Sequence, residues 1–488
     1  MAPAVGDRYT RYLKTYVLPE KGAADLCVYF FSRALHLVSP SGVAGLLATD
    51  TFTEGDTQRC GPASLLRAGA TFTRAEPRRP WPGSAAQDIA VVHFTRGPWS
   101  GRCFIDDLPV AGIGPYLSEN AAKAEPAQLA ERRGRAAIGV SLLGEGFILS
   151  AAEAREMIDL DPRNRLVVRP YLIGRDISTS ETQRSSRCVI DFGEMGETEA
   201  ASYRAPYRRL VERVKPQRDK LTRQVHEKCF WKHWDRRTRF FASLRGQTVL
   251  VAAQVSKYWA PVFVENKYVF DQKVVVFTTE RFADFAVLQS EIHVLWARRE
   301  GGLNLGPTPT YTVSGCFNTF PFPWSEESHA FADTARRVAE GLERVGERYH
   351  EQRRTRCAQR GYGFTEFYNE IHDPAAQDQG LGSFRNTISE LASRVGLAYG
   401  WSNLNLGHDF HETKQGIRFT ISEPARREVL DRLLELNHQR YAEEVAQGLH
   451  DKGSKSAKAG KRGKGRKPGS KRASADTTDT LISLDEEE

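Results

Sequence analysis

Between residues 236 and 273 the sequence gathers side chains that can hold phosphate and read the hydrogen-bonding edges of bases. DRRTRFFASLRG offers Arg236, Arg237, Arg239 and Arg245 around two phenylalanines. QVSKYWAP offers Gln254, Ser256, Lys257 and Tyr258 at an expected strand end, and VFDQKV offers Asp271, Gln272 and Lys273. Lysine and arginine neutralise phosphates, an exposed arginine pairs bidentately with guanine, and glutamine does the same with adenine. Singly, each of these residues is also what a solvated strand or turn carries. Arg163, Asn164 and Arg175 form a second, weaker set, because DPRN is an ordinary turn whose Asp and Asn bond their own backbone.

Metal chemistry has little support. His226, Cys229 and His233 in HEKCFWKHW, and His408 and His411 in HDFHE, match no standard ligand spacing, and Trp231 and Trp234 point to packing. The seven cysteines are scattered, odd in number and without a CxxC pair, so free thiols in a reducing compartment are expected.

The net charge of +8 is unevenly spread, since ten basic residues fall between Lys452 and Arg472. Removing them leaves +8 − 10 = −2, close to neutral, so composition alone says little about a polyanion bound by the folded part. The tail, a Lys/Gly/Ser run followed by Asp485–Glu488, cannot bury enough apolar surface to fold and is expected to be disordered. It would bind any polyanion without sequence information, or simply solubilise the end of the chain. No apolar run reaches the roughly 20 residues of a membrane span. No signal peptide is visible in MAPAVGDRYTRYLK, and a cytoplasmic, membrane-free protein is expected.

The elements that must position these residues come in three styles. DLCVYFFSRALHLVSPSG is a helix by spacing, VAGLLATD a short strand, and GPASLLRAG a helix closed by Gly69. ATFTRAEPRRPWPG and AAQDIAVVHFTRG follow as two strands, so the first hundred residues look like the end of a doubly wound α/β sheet closed by a hairpin. GRCFIDDLPV is an expected β-hairpin and AAEAREMIDLDPRN a helix with a turn behind it. RCVIDF, QTVLVAAQVSKYWA, PVFVENKYVF and QKVVVFTT read as single strands by β-branched and aromatic content. RFADFAVLQSEIHVLWARRE reads as one amphipathic helix. HAFADTARRVAEGLERVGERYHEQRR and PARREVLDRLLELNHQRYAEEVAQGL have long heptad-like faces.

In their order, several stretches resemble the MmeI-like adenine-specific DNA methyltransferases of restriction-modification systems. They are ADLCVYFFSRALHLVSPSGVAGLLATDTFTEGDTQ, RRPWPGSAAQDIAVVHFTRGPWSG, DPRNRLVVRPYLIGRDI, SSRCVIDF, VSKYWAPVFV, FNTFPFPW, AYGW and the final RFTISEPARREVLDRLLELNHQRYAEEVAQGLHDK. The resemblance implies the C-terminal portion of such an enzyme. Its parts would be half of a methyltransferase domain at 1–100, a connector at 101–150, an α+β DNA target-recognition domain at 151–325, a helical C-terminal domain at 326–450 and the tail at 451–488. It also implies double-stranded DNA as partner, contacted by Arg237, Arg239, Arg245, Gln254, Lys257, Tyr258, Gln272 and Lys273. Trp81, between the two final strands, is the candidate platform for a flipped adenine, or else packs its turn beside Pro80 and Pro82.

The departures are as informative. The family binds S-adenosylmethionine through a Gly-rich loop and catalyses with Asn-Pro-Pro followed by an aromatic, and this sequence contains no Asn-Pro-Pro. The expectation is a chain that starts just past that motif and carries no catalytic residue of its own. It would hold no S-adenosylmethionine alone and would need an N-terminal half encoded upstream. A stand-alone DNA-binding specificity protein and an inactive remnant are the alternatives.

Overall fold

The computed structural model describes residues 6–17, 24–53, 55–83, 88–119, 125–220, 229–244, 248–303, 309–324, 332–413 and 416–450. Arg245, His226 and the tail lie outside them. The architecture is α+β, with mixed sheets followed by a helical C-terminal region. No described helix is long and apolar enough to cross a membrane.

The first body contains helices α1 (Asp7–Tyr16), α2 (Leu26–Leu37), α3 (Gly55–Cys60) and α4 (Pro62–Arg67). They accompany strands β1 (Val43–Thr49), β2 (Ala70–Pro80), β3 (Asp88–Arg96), β4 (Cys103–Ile105) and β5 (Leu108–Val110). The strands make one sheet in the order β1-β3-β2-β4-β5. β3 is antiparallel to both β1 and β2, so β1 and β2 run parallel with one reversed strand between them. Ala90, Val92 and Phe94 alternate into a core with Phe31, Phe52 and Phe72, as period-two patterning requires. The expected β4–β5 hairpin is present, turned by Asp106 and Asp107, both with positive φ.

The second body holds two sheets. One is antiparallel, ordered β11-β10-β13-β6, from β6 (Ala136–Ile138), β10 (Thr248–Ala253), β11 (Val262–Glu265) and β13 (Val274–Phe277). The other, ordered β12-β8-β9-β7, uses β7 (Ile148–Ser150), β8 (Val168–Leu172), β9 (Arg187–Ile190) and β12 (Val269–Phe270). Two elements within the expected connector, β6 and β7, are thus strands of these sheets. PVFVENKYVF, expected as one strand, splits into β11 and β12 in different sheets, because Asn266 and Lys267 turn the chain between them. Helix α5 (Ala151–Leu160) follows β7 directly, and a reciprocal Ser150–Glu153 capping box starts it. Helix α6 is Gly174–Thr179, and α7 (Thr238–Ser243) precedes β10.

The helical region begins earlier than its sequence pattern indicates. The expected single helix at 281–300 is two, α8 (Phe282–Gln289) and α9 (Glu291–Glu300). Ser290 has extended backbone and its hydroxyl accepts from the His293 amide, so it ends one helix and caps the next. After them come α10 (Ala332–Arg360), α11 (Phe364–Ile371), α12 (Gln379–Ala398), the hairpin of β14 (Asp409–Thr413) with β15 (Gly416–Thr420), and α13 (Glu423–Ala446). One hydrophobic core runs from Ala136 through the β10–β13 strands and α8–α9 to Leu434, so the β11-β10-β13-β6 sheet and the helices are packed as one unit. Asn437 and Glu444 on α13 bind the backbone of Ala127, Ala130 and Glu131, anchoring the segment between the two bodies.

Candidate nucleic-acid interface

The predicted polar residues cluster where β10 ends and β13 begins, at the junction of the two sheets. β12 belongs to one sheet and β13 to the other, and the turn Asp271-Gln272-Lys273 links them. That turn is held firmly. Asp271 accepts from the Tyr171 hydroxyl at 2.5 Å and from the Lys273 amide at 2.8 Å. Behind it, Gly139 passes so close that a Cβ would lie 2.2 Å from the carbonyl oxygens of Phe270 and Asp271. Gln272 and Lys273 are exposed on this rigid turn.

Gln254 is beside them, its amide donating to the Lys273 carbonyl at 2.7 Å while its own carbonyl accepts from Tyr311 at 2.8 Å. Gln254, Ser256, Lys257 and Tyr258 line a small cleft together with Arg298 of α9 and Tyr311. Lys257 is exposed, and its ammonium donates to Asn369 Oδ1 at 2.7 Å. Tyr258 differs from a surface contact residue. It is buried, donates to the same Asn369 oxygen at 2.9 Å, and stacks on His372. Its ring supports the cleft floor.

Arg237 and Arg239 sit on α7. Arg237 caps the helix in the left-handed region with φ 44° and pairs with Asp235 at 3.0 Å, while Arg239 is exposed. The backbone links this group to the turn, since Asp235 bridges Ser141 and the adjacent Val140 bridges Asp271. The structure therefore brings Arg237, Gln254, Gln272 and Lys273 to one sheet junction, with Lys257 on the loop that leaves it.

The weaker candidates have structural employment. Arg163 pairs with Asp161 at 2.7 Å, and Asn164 is buried and donates to Met157 O. His233 is buried against the Ile190 carbonyl, with burial holding its pKa down, and His408 pairs with Glu291 at 2.7 Å. No group of three or more His, Cys, Asp or Glu side chains converges on a metal position among the described residues.

Sequence reasoning missed Arg298, Asn369 and Arg418, which reach this region from the helices and the β14–β15 hairpin. Only the tertiary fold brings them near Lys257, and no local pattern marks them.

Trp81 lies at the β2–β3 turn, 42% exposed, and its indole covers Gly83, where a Cβ would meet it at 2.4 Å. It immediately follows β2, on the side where the parallel pair β1 and β2 both end. The polar groups at the end of β1 close on one another. Thr49 and Thr51 hydroxyls are 2.7 Å apart and Thr51 donates to Asp25 at 2.7 Å. Among the described residues these groups satisfy one another at the end of β1.

Comparison with known proteins now bears on this geometry. The family model for the MmeI target recognition domain matches residues 133–324. A solved structure of the type IIL restriction-modification enzyme MmeI in complex with DNA is similar in fold, with a TM-score of 0.65 at 15% identity. The likeness covers 90% of this chain and 55% of that one, so the chain spans about half the length of that enzyme. The type IIG restriction endonuclease BpuSI is also found, at 9% identity, covering 78% of this chain and 50% of that one. Its TM-score of 0.27 carries no argument. No curated protein matches the chain in sequence. The two-sheet body that carries the polar junction lies within residues 133–324, the stretch that matches the target recognition domain of MmeI.

Proposed function

We propose that this chain is the DNA-reading part of a type II restriction-modification enzyme that methylates adenine. Methyl transfer from S-adenosylmethionine would be completed by a second half supplying the Gly-rich loop and the Asn-Pro-Pro-aromatic motif. The observation that carries the reading is the recognition-domain match over 133–324. Gln254, Gln272 and Lys273 at the sheet junction, with Arg237 and Arg239 on α7, are the proposed base and phosphate contacts. Lys257 is a phosphate contact, and Tyr258 supports it from beneath. Arg245 belongs to the same set by sequence.

The first body supports the methyltransferase part. Two parallel strands with a reversed strand between them suit the closing end of a doubly wound sheet, and such sheets bind ligands beyond the carboxyl ends of their parallel strands. Trp81 is at that end and is the proposed platform for a flipped base. The outer edge of β1 has no strand partner among the described residues, and Val43 and Leu47 on it are 54% and 53% exposed. Phe30 and Leu37 of neighbouring α2 are exposed as well. An apolar edge of this kind calls for a covering strand and helix.

The test is to measure duplex binding by this chain alone, then methyl incorporation into adenine after adding a polypeptide that carries both missing motifs. Binding by the chain and incorporation only by the pair are expected. Incorporation by the chain alone, or no duplex binding at all, refutes the reading. A stand-alone binding protein is favoured by one observation, the continuous core that closes the recognition body without the first sheet. Binding without any partner-dependent methylation would select it.

A further inference from the structure

Around Tyr258 the recognition domain and the helical region build a cationic recess. Lys257 Nζ lies 5.1 Å from the Tyr258 ring centroid and Arg418 Cζ 5.5 Å from it, and Arg298 lines the same cleft. Three elements distant in sequence supply these groups: the loop after β10, helix α9 and strand β15. Their donors are unevenly committed. Lys257 uses one proton on Asn369. Arg418 gives one Nη1 bond to the Ile417 carbonyl and its buried Nε has no partner. Arg298 has no hydrogen bond or ion pair to any described residue, although it is only partly exposed.

Opposing charge is sparse. Glu291 is the carboxylate facing Arg298, and the His408 Nε2 stands 2.7 Å from it. Arg426, also facing Arg298, is paired with Glu423 at 3.1 Å. The field is felt by its neighbours. Burial, then Arg418, pulls Arg298 down to about 10. Burial together with Arg418, Arg298, Arg385 and Lys257 pulls His372 down to about 3. Uncommitted guanidinium groups crowded into a recess, with too few carboxylates, are arranged for an anion from outside.

We propose that Arg298 and Arg418, with Lys257 at the rim, form a pocket for one phosphodiester of bound DNA. This rests on the DNA-reading function proposed above and deepens it. The pocket opens beside Gln254, so a strand read at the sheet junction is clamped where the recognition domain meets the helices. A phosphate contact of this kind fixes register and carries no base information.

The test is a salt titration of duplex affinity for the full chain and for Arg298→Gln, Arg418→Gln and Arg298→Lys, with thermal melts showing that each variant is folded. Each Gln variant is expected to weaken binding to all duplex sequences alike and to lower the slope of log affinity against log salt by about one. Arg298→Lys is expected to keep most of the slope. An unchanged slope in both folded Gln variants, with a wild type that binds DNA, overturns the pocket alone. An equal loss in Arg427→Gln, on the exposed face of α13, overturns it in favour of diffuse charge. Stabilisation of the wild type by inorganic phosphate, lost in Arg298→Gln while the DNA slope is unchanged, overturns it in favour of a free anion. A wild type with no duplex affinity instead refutes the underlying function.

Discussion

At the residue scale, arginine does two opposite jobs close together. Arg298 has donors to spare, whereas Arg353, on α10, is fully buried with both terminal nitrogens on fixed acceptors and only its Nε without a partner. Its Nη1 donates to Gln289 at 2.9 Å and to the Tyr368 hydroxyl at 3.0 Å, its Nη2 donates to the Pro261 carbonyl, and its guanidinium lies 4.2 Å over the Phe364 ring. No carboxylate among the described residues pairs with it, so the charge is held by dipoles and rings from α8, α11 and the segment before β11. The carbonyl of Pro261 comes from the segment leading into β11, which makes Arg353 a tie between the helices and the recognition sheet. Arg353→Met keeps the apolar stem and leaves these acceptors unpaired. It should cost roughly 3 kcal/mol or more, measured as a lower urea midpoint. A change below about 0.5 kcal/mol, the size of an ordinary surface substitution, would refute this role for Arg353.

At the element scale, the open edge of β1 sets the terms of any association. Val43 and Leu47 point away from the buried row of the sheet, and an incoming strand would pair with the β1 backbone and cover them. Lysine at an edge is how sheets refuse a partner. The double change Val43→Lys and Leu47→Lys should therefore abolish co-purification with a polypeptide carrying the Asn-Pro-Pro motif, while DNA affinity of the chain stays within about twofold, since distant independent sites act additively to about 0.5 kcal/mol. Retained co-purification would place the partner elsewhere. Local signals made much of this scale legible. The capping box at Ser150, the Asp106-Asp107 turn and the stop at Gly69 are written in a few adjacent residues. The break at Ser290 was not, because serine is tolerated in helices and its capping role shows only once α8 and α9 diverge. The partition of PVFVENKYVF between two sheets was equally hidden, since strand composition does not say which neighbour a strand pairs with. The polar junction was legible as a set of residue types, but Tyr258 as a buried floor and Arg298 and Arg418 as its neighbours depend on contacts far apart in sequence.

At the scale of the whole molecule, one core holds the recognition sheet and the helices together, and it holds histidines that burial keeps neutral. Burial brings His293, His350 and His372 each to about 3 from an ordinary value of 6.5. Neighbouring cations add to this at two of them, Arg353 and Arg354 beside His350, and Arg418, Arg298, Arg385 and Lys257 beside His372. His293 instead bonds Tyr311 at 3.0 Å. Because the folded values are depressed, the unfolded chain binds more protons between about 3 and 6.5. The stability they contribute is complete above the unfolded value and is lost as pH falls through that window, by roughly 1.4 kcal/mol per pH unit for each histidine at most. Between pH 6.5 and 5 unfolded carboxylates stay ionised, since unfolded Glu titrates near 4.3, and Glu300, whose folded pKa burial raises, offsets the histidines only in part. The denaturant midpoint should therefore fall steadily over that interval. His350 offers a clean subtraction: its ring sits among Phe263, Phe282 and Phe285, and its buried Nε2 has no partner. His350→Leu replaces a titrating ring with an apolar side chain among phenylalanines, and it should reduce the pH slope by roughly a quarter to a third, the share of one proton among these three and His233, which burial also holds down. A wild-type midpoint that is flat from pH 6.5 to 5, or a His350→Leu slope equal to the wild type, would show that these histidines do not couple protonation to the fold.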